Sequence, residues 1–228
     1  MNMITARFPI YICLFHFFFQ TALWTKSPLL CYFLSGTASV SYYTNQQTNH
    51  YWLELREGMF IHEGMLLRTG ENSMCFLLAF DKTKMEIGEK SVLRIDQGTD
   101  QYHRLLCIVD LIEGSVKGAI RSDIKNLAHA YYLKNCAVRF TMGNIYIFYE
   151  ERTKKTIIGS EAGKAEIFPA EDGKWRFFEL TSGKLVTITE TPSGVRALTE
   201  KDITSYWPYS LRQRSIPQEN ISQDYSPW

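Results

Sequence analysis

Cysteine is scarce and scattered. Cys13, Cys31, Cys75, Cys107 and Cys136 include no C-x-x-C pair, and the five histidines (His16, His50, His62, His103, His129) do not cluster. A zinc centre draws its ligands from such clusters, so no metal and no cofactor is expected. Phosphate-cradling loops are missing too: the glycines between Gly58 and Gly70 lack P-loop spacing and a following lysine. Ser73 sits in Glu-Asn-Ser-Met, outside any Gly-x-Ser-x-Gly elbow, and reads as a turn residue. A surplus of one charge is also lacking. Lys+Arg total 25 against 24 for Asp+Glu, which argues against nucleic acid as a main partner, since backbone binding needs a net positive footprint.

What the chain has instead is short apolar runs broken by glycine and polar corners. The stretch Gly58 to Ile95 sets the pattern, with glycines at 58, 64 and 70, a polar corner at Glu71-Asn72-Ser73, an apolar run to Phe80 and a turn at Asp81 to Lys84. Short strands with such punctuation predict a compact all-β unit. Further strands are predicted at Tyr51–Glu57, His103–Ile112, Ser115–Ile120, Val138–Met142, Ile145–Tyr149, Thr156–Gly159, Gly163–Phe168, Trp175–Leu180, Lys184–Thr189 and Val195–Leu198. Leu127 to Tyr132 is ambiguous: two alanines favour helix and paired tyrosines favour strand. Glu113-Gly114 and Gly143-Asn144 read as corners, and Glu150 to Lys155 as a charged hairpin tip. The expected architecture is one domain of about a dozen short strands, solenoid-like or jelly-roll-like, after an N-terminal apolar helix.

The N-terminal run Phe8 to Phe19 is dense in phenylalanine, and Leu29 to Leu34 is apolar again. A positive start and an apolar core predict a secretory signal. Gly36-Thr37-Ala38 offers the small residues of a cleavage site after Ala38. The first run is short for a membrane span of about 20 residues; an uncleaved anchor through residues 8–34 is the second reading. The predicted division is a signal or anchor over 1–38, a linker over 39–50, the β domain over 51–200 and a loosely ordered tail over 201–228. Cys13 and Cys31 fall in the export segment, and Cys75, Cys107 and Cys136 read as small buried hydrophobes.

The order of the motifs resembles the FecR-like domain of bacterial envelope proteins over Trp52 to Ile188. The residues that carry the likeness are Gly64 with Leu66-Leu67, Thr69-Gly70, Ser73, Asp81, and Leu93 with Ile95. Downstream they are Leu111 to Val116, Ala137-Val138-Arg139, Ile145 to Phe148, Gly163, and Leu180 to Leu185. The sequence departs at Phe140-Thr141, where the family carries glycine-threonine, and at Asp81-Lys82-Thr83, which lacks the turn glycine. The resemblance implies an exported, periplasmic or envelope β unit that binds another protein or a cell-wall polymer. The family's best-known members carry a cytoplasmic helical domain that controls a sigma factor; few residues precede the apolar segment here, so that domain is expected to be absent.

Two loops are the expected recognition elements, Gln97 to Tyr102 and Glu150 to Lys155, with Asp100, His103, Arg152, Lys154 and Lys155 as binding residues. The expected role is non-enzymatic display. The competing readings are a membrane-tethered part of a signalling system and a glycan hydrolase, the last needing Asp96, Asp100 and Glu113 to converge across a groove.

Overall fold

The computed structural model describes residues 29–42, 51–79, 83–99, 105–120, 127–170, 177–189 and 192–208. Among them fifteen strands and one helix follow in the order β1 (Leu29–Ser35), β2 (Ala38–Tyr42), β3 (Leu53–Glu54), β4 (Phe60–Ile61), β5 (Met65–Thr69), β6 (Met74–Leu78), β7 (Lys84–Ile87), β8 (Val92–Thr99), β9 (Leu105–Ile120), β10 (Leu127–Tyr132), β11 (Cys136–Glu150), β12 (Lys155–Pro169), β13 (Phe178–Thr181), β14 (Lys184–Ile188), β15 (Arg196–Ala197) and α1 (Glu200–Tyr206). The fold is all-β, as the punctuated pattern predicts.

Strand pairing divides the chain into two layers. One runs β3-β2-β5-β8, then the first half of β9, β10, the first half of β11, the second half of β12, and β13. The other runs β4-β1-β6-β7, then the second half of β9, the second half of β11, the first half of β12, β14 and β15. Three long strands thus belong to both layers. Alternating side chains from each layer meet between them: Val109, Tyr131, Val138 and Ile167 from one, Cys75, Val116, Ile147 and Ile158 from the other, all at most 1% exposed. Each such aliphatic side chain contributes about 1.5–3 kcal/mol by leaving water. Leu127 to Tyr132 is a strand because β9 and β11 pair with it on both sides.

The predicted corners at Gly114 and Gly143 do not end their strands. The chain bends there and keeps pairing, which joins the layers. Gly114 has φ +96° and a Cβ on it would lie 2.4 Å from Ser91 Cα. Gly143 has φ +103°, faces Gly163 across the hairpin, and a Cβ on it would lie 2.0 Å from the Ala162 carbonyl oxygen. Neither position has room or backbone freedom for another residue.

Along one side of the sandwich the crossings stack. Gly70-Glu71-Asn72-Ser73 and Gly88-Glu89-Lys90-Ser91 are two copies of one corner, with Asn72 at φ 51° and Lys90 at φ 50°. Small hydroxyls stitch each corner to the next. The Thr37 N–H donates to Ser73 Oγ (2.8 Å), Thr69 Oγ1 donates to the Gly88 carbonyl (2.6 Å), and the Ser115 N–H donates to Ser91 Oγ (2.9 Å). Ser73, Ser91, Ser115 and Thr69 are all buried, so these bonds replace lost water contacts.

Three boundaries drawn from the sequence are corrected. Leu29 to Leu34, predicted as part of the export segment, is a core strand: β1 sits between β6 and β4, with Leu29 and Cys31 buried. A bulge at Tyr32 lets Tyr32 and Phe33 both turn outward onto the Phe76 ring, at centroid distances of 5.8 and 5.4 Å. Apolar residues on both faces give this strand the hydropathy of a membrane segment. Residues 38–42 form β2, so the predicted linker begins inside a strand. Residues predicted as the start of a loose tail form α1, capped by Thr199 and Asp202, each bonding the other's backbone N–H. The predicted apolar run Phe8 to Phe19 and the tail from 209 onward lie outside the described residues.

The segment 53–61 closes one end of the sandwich. It pairs with β2 as β3, inserts Leu55 beneath the layers, and pairs with β1 as β4. Beyond β4, the Leu34 N–H on the β1 edge is taken by the Glu57 carboxylate (2.9 Å).

Helix α1 lies on the outer face of the second layer. Ile203 and Trp207 pack on Tyr146, Ile157 and Leu185, and Trp207 Nε1–H donates to the Ile147 carbonyl (3.0 Å). Arg196 anchors the helix start through two bonds to Asp202, 2.8 and 2.6 Å. The Arg196 guanidinium and the Thr199 hydroxyl and N–H hold the Asp202 carboxyl well below the usual carboxylate range. A carboxyl depressed in the folded state supplies stability above its unfolded value, about 3.9, and loses it as pH falls. Acidification below about pH 4 is therefore expected to loosen α1, read as a change in tryptophan fluorescence that Trp207→Phe reduces. An unchanged signal down to global acid unfolding would contradict this linkage.

Candidate binding surface

The hairpin of β11 and β12 is fifteen residues long on each arm. Because both arms bend at Gly143 and Gly163, its tip returns to the turn between β10 and β11. Asn135 in that turn clasps the returning tip. Its Nδ2 donates to the carbonyls of Lys154 (2.8 Å), Ile188 (3.2 Å) and Thr189 (3.3 Å), and its Oδ1 accepts from Thr156 Oγ1 (2.6 Å). Lys134 bonds Glu151 at 2.7 Å. Glu151 also accepts from the Tyr149 hydroxyl at 2.5 Å. Lys134, then Tyr149, hold the Glu151 carboxyl below its ordinary value, while burial and then Glu151 push the Tyr149 hydroxyl up. Thr153 bonds Glu150.

The tip is therefore a fixed platform and not a loose loop. It carries Lys134, Arg152, Lys154 and Lys155 against Glu150 and Glu151. Both carboxylates are engaged within the tip, whereas Arg152 and Lys154 are exposed. Lys155 turns away and rests its Nζ 5.6 Å from the centre of the Tyr206 ring, a cation–π contact that ties the hairpin to α1.

Beside this end an aromatic row crosses the outer face of the first layer. Tyr132 pairs with Ala137 and Ala137 with Phe168, so the three share one face. The Phe168 ring meets Phe177 at 5.5 Å. Tyr132 is 46% exposed and Phe177 56%, far more than a core aromatic. Tyr132 lies two residues before Lys134, so the row begins next to the basic end. Ion pairs flank it: Arg139–Glu166 at 3.0 Å, Lys164–Glu179 at 3.2 Å and Arg94–Asp110.

Of the five residues expected to bind, Arg152, Lys154 and Lys155 come together at the hairpin end, though Lys155 is committed to Tyr206. Asp100 and His103 lie outside the described residues. The loop expected from Gln97 is instead strand as far as Thr99. Sequence reasoning missed Lys134, seventeen residues from its partner Glu151, and it missed the aromatic row. Alternation gives each strand two faces, but only the register shows that Tyr132 and Phe168 share one.

Of the three carboxylates named for a glycan hydrolase, Asp100 lies outside the described residues, and Asp96 and Glu113 do not converge. Asp96 faces Ile108, and Glu113 faces Val92 on the same strand β8. Four residues of strand separate them, about 13 Å at 3.3 Å per residue, beyond the separations of paired glycosidase carboxyls. Among the described residues, no cluster of three or more His, Cys, Asp or Glu side chains could hold a metal ion. Among those residues, too, no helix is long and apolar enough to cross a membrane.

No protein-family model matches the chain, and no curated protein matches it. Among solved structures it is similar to two crystal structures of a candidate anti-sigma factor from Parabacteroides distasonis ATCC 8503. The 1.65 Å structure has 12% identity and a TM-score of 0.49, and the 2.50 Å structure 13% and 0.48. Each alignment covers 61% of this chain and 62% of the other, so the match spans less than two thirds of those proteins. At this level of superposition and identity the likeness establishes neither a family nor an activity.

Proposed function

We propose that this chain is a non-enzymatic display module of the cell envelope, FecR-like in its motifs, that binds a protein or a cell-wall polymer through the β11–β12 hairpin end. The observation that carries this reading is the pair of exposed cations, Arg152 and Lys154, on a tip held rigid by the Asn135 clasp. A rigid tip loses little conformational entropy on binding, so its charges are already placed for a partner. The adjacent Tyr132 supplies an aromatic contact of the type enriched at the centre of interfaces. The partner chemistry that fits is an acidic surface.

The test compares the wild-type chain with Arg152→Glu/Lys154→Glu in pull-downs from envelope extract at low and high salt. The expected result is a protein or polymer retained by wild type, at least tenfold less by the variant, and less by wild type as salt rises. The melting temperature should not change, because both side chains are exposed. Retention of nothing, or of the same material by both chains, sinks the reading.

Export remains part of the proposal, with an amended boundary. Because β1 begins at Leu29, cleavage after Ala38 would remove a core strand; an export segment has to end before Leu29 or stay attached as a tether. The tether would make this a membrane-held part of a signalling system, and N-terminal sequencing of the exported protein separates the two.

A further inference from the structure

Two thiols that lie far apart in sequence meet inside the second layer. Cys31 on β1 and Cys75 on β6 are both fully buried, their Sγ atoms 3.7 Å apart in hydrogen-bond contact. Cys107 and Cys136 are also buried free thiols. The bulge at Tyr32 sits immediately after Cys31, so the backbone of β1 is locally irregular where the sulfurs approach. Cys31 pairs with Leu77 and Cys75 with Leu34, so the two thiols meet on a diagonal, and closing to a bonded distance of about 2.05 Å asks each sulfur to move by less than an ångström.

We propose that Cys31 and Cys75 are an oxidisable pair that closes to a disulfide and clasps β1 to β6. The oxidant is a disulfide, either a small molecule such as oxidised glutathione or the active-site disulfide of a thiol oxidase. The Cys31 thiolate attacks one sulfur of that disulfide, and the other sulfur leaves as a thiolate. Cys75, giving up its proton, then attacks the Cys31 sulfur of the mixed disulfide and displaces the second thiolate. Two protein thiols lose two electrons and two protons, and one disulfide is reduced to two thiols. In the closed pair the shared contact lowers the Cys31 thiol from its ordinary value and, with burial, holds Cys75 up.

The clasp matters because of where it lies. Its sulfurs are reached only when β1 parts from the sheet, so oxidation reports the opening of that strand. Once closed, the bond spans 44 positions of chain and keeps β1 in place when the two-residue β4 frays. This inference does not depend on the binding role of the hairpin.

The test incubates the full-length chain with oxidised glutathione, in buffer and in mild urea, then alkylates free thiols and maps peptides by mass spectrometry. The expected product is a Cys31–Cys75 linked peptide, with Cys107 and Cys136 alkylated and oxidation faster in urea. The oxidised chain should melt higher than the reduced one, a shift that dithiothreitol reverses, Cys75→Ala abolishes and Cys107→Ala retains. Persistence of free Cys31 and Cys75 after oxidation in urea overturns the proposal. So does a dominant link from either one to Cys13, Cys107 or Cys136. The peptide map is read on the unmutated chain, so it decides the matter even if Cys75→Ala fails to fold.

Discussion

A chain that starts at Ser39 is expected not to fold, whereas one that starts at Leu29 should unfold cooperatively. The difference is β1 and its corner. Removing it takes away Leu29 and Cys31, each at most 1% exposed, and uncovers Cys75, Phe76 and Leu77 on β6. It also strips β6 of five paired positions along its length. Deleting buried side chains of this size costs about 2–5 kcal/mol each, and unpaired buried backbone groups add about 1–3 kcal/mol apiece. The sum reaches the whole stability of a typical domain, about 5–15 kcal/mol. Circular dichroism and gel filtration of the two truncations read the outcome. A Ser39 chain with a normal melting transition would show that β1 is an accessory to the body.

Replacing Gly143 by alanine is expected to cost more than about 3 kcal/mol. Two separate penalties apply. The backbone at φ +103° strains a non-glycine residue by about 1–3 kcal/mol. The new methyl also meets the Ala162 carbonyl oxygen at 2.0 Å, in backbone that cannot rotate away. Gly58→Ala is the control, because Gly58 also has positive φ, at 83°, but nothing within 4 Å of the added atom. Urea denaturation of both variants separates strain from crowding. Equal losses would mean that the hairpin bend has slack, contrary to the close approach of β11 and β12.

The second substitution shows why the fold was only partly legible. Gly114 and Gly143 were visible in the sequence as breaks, and breaks were read as strand ends. Their meaning, a bend through which pairing continues, depends on a partner: Ser91 for one, Gly163 for the other. Local signals did better where the turn and both arms are close in sequence. Glu150 to Lys155 was read as a hairpin tip, and Glu150 pairs with Lys155. Lys184 to Ile188, a short apolar run after the Ser182-Gly183 turn, forms β14. Hydropathy alone does not identify Leu29 to Leu34 as a strand, since a strand with apolar residues on both faces and a membrane segment look alike when read by composition. Helix α1 spans seven residues, too few for a period, so its trace in the sequence was the Thr199-x-x-Asp202 cap.

The candidate surface was legible to the same degree. The charges of the tip are contiguous in the chain and stood out. The clasp that stiffens them was hidden, because Asn135 reaches carbonyls 19, 53 and 54 residues away. Nothing in the spacing of one asparagine foretells that it will hold three strand ends together.

The Glu57 carboxylate on the rim of β1 has a bearing on how copies of this molecule behave in a crowded compartment. An open strand rim recruits another chain by offering donors and acceptors in turn. Here the Leu34 donor is spent on a side-chain oxygen of Glu57 and not on a neighbouring strand. Any newcomer would have to displace the exposed Glu57 side chain from its bond. Runaway fibre growth is thereby discouraged at that end without lengthening the sheet or adding a helix to cover it.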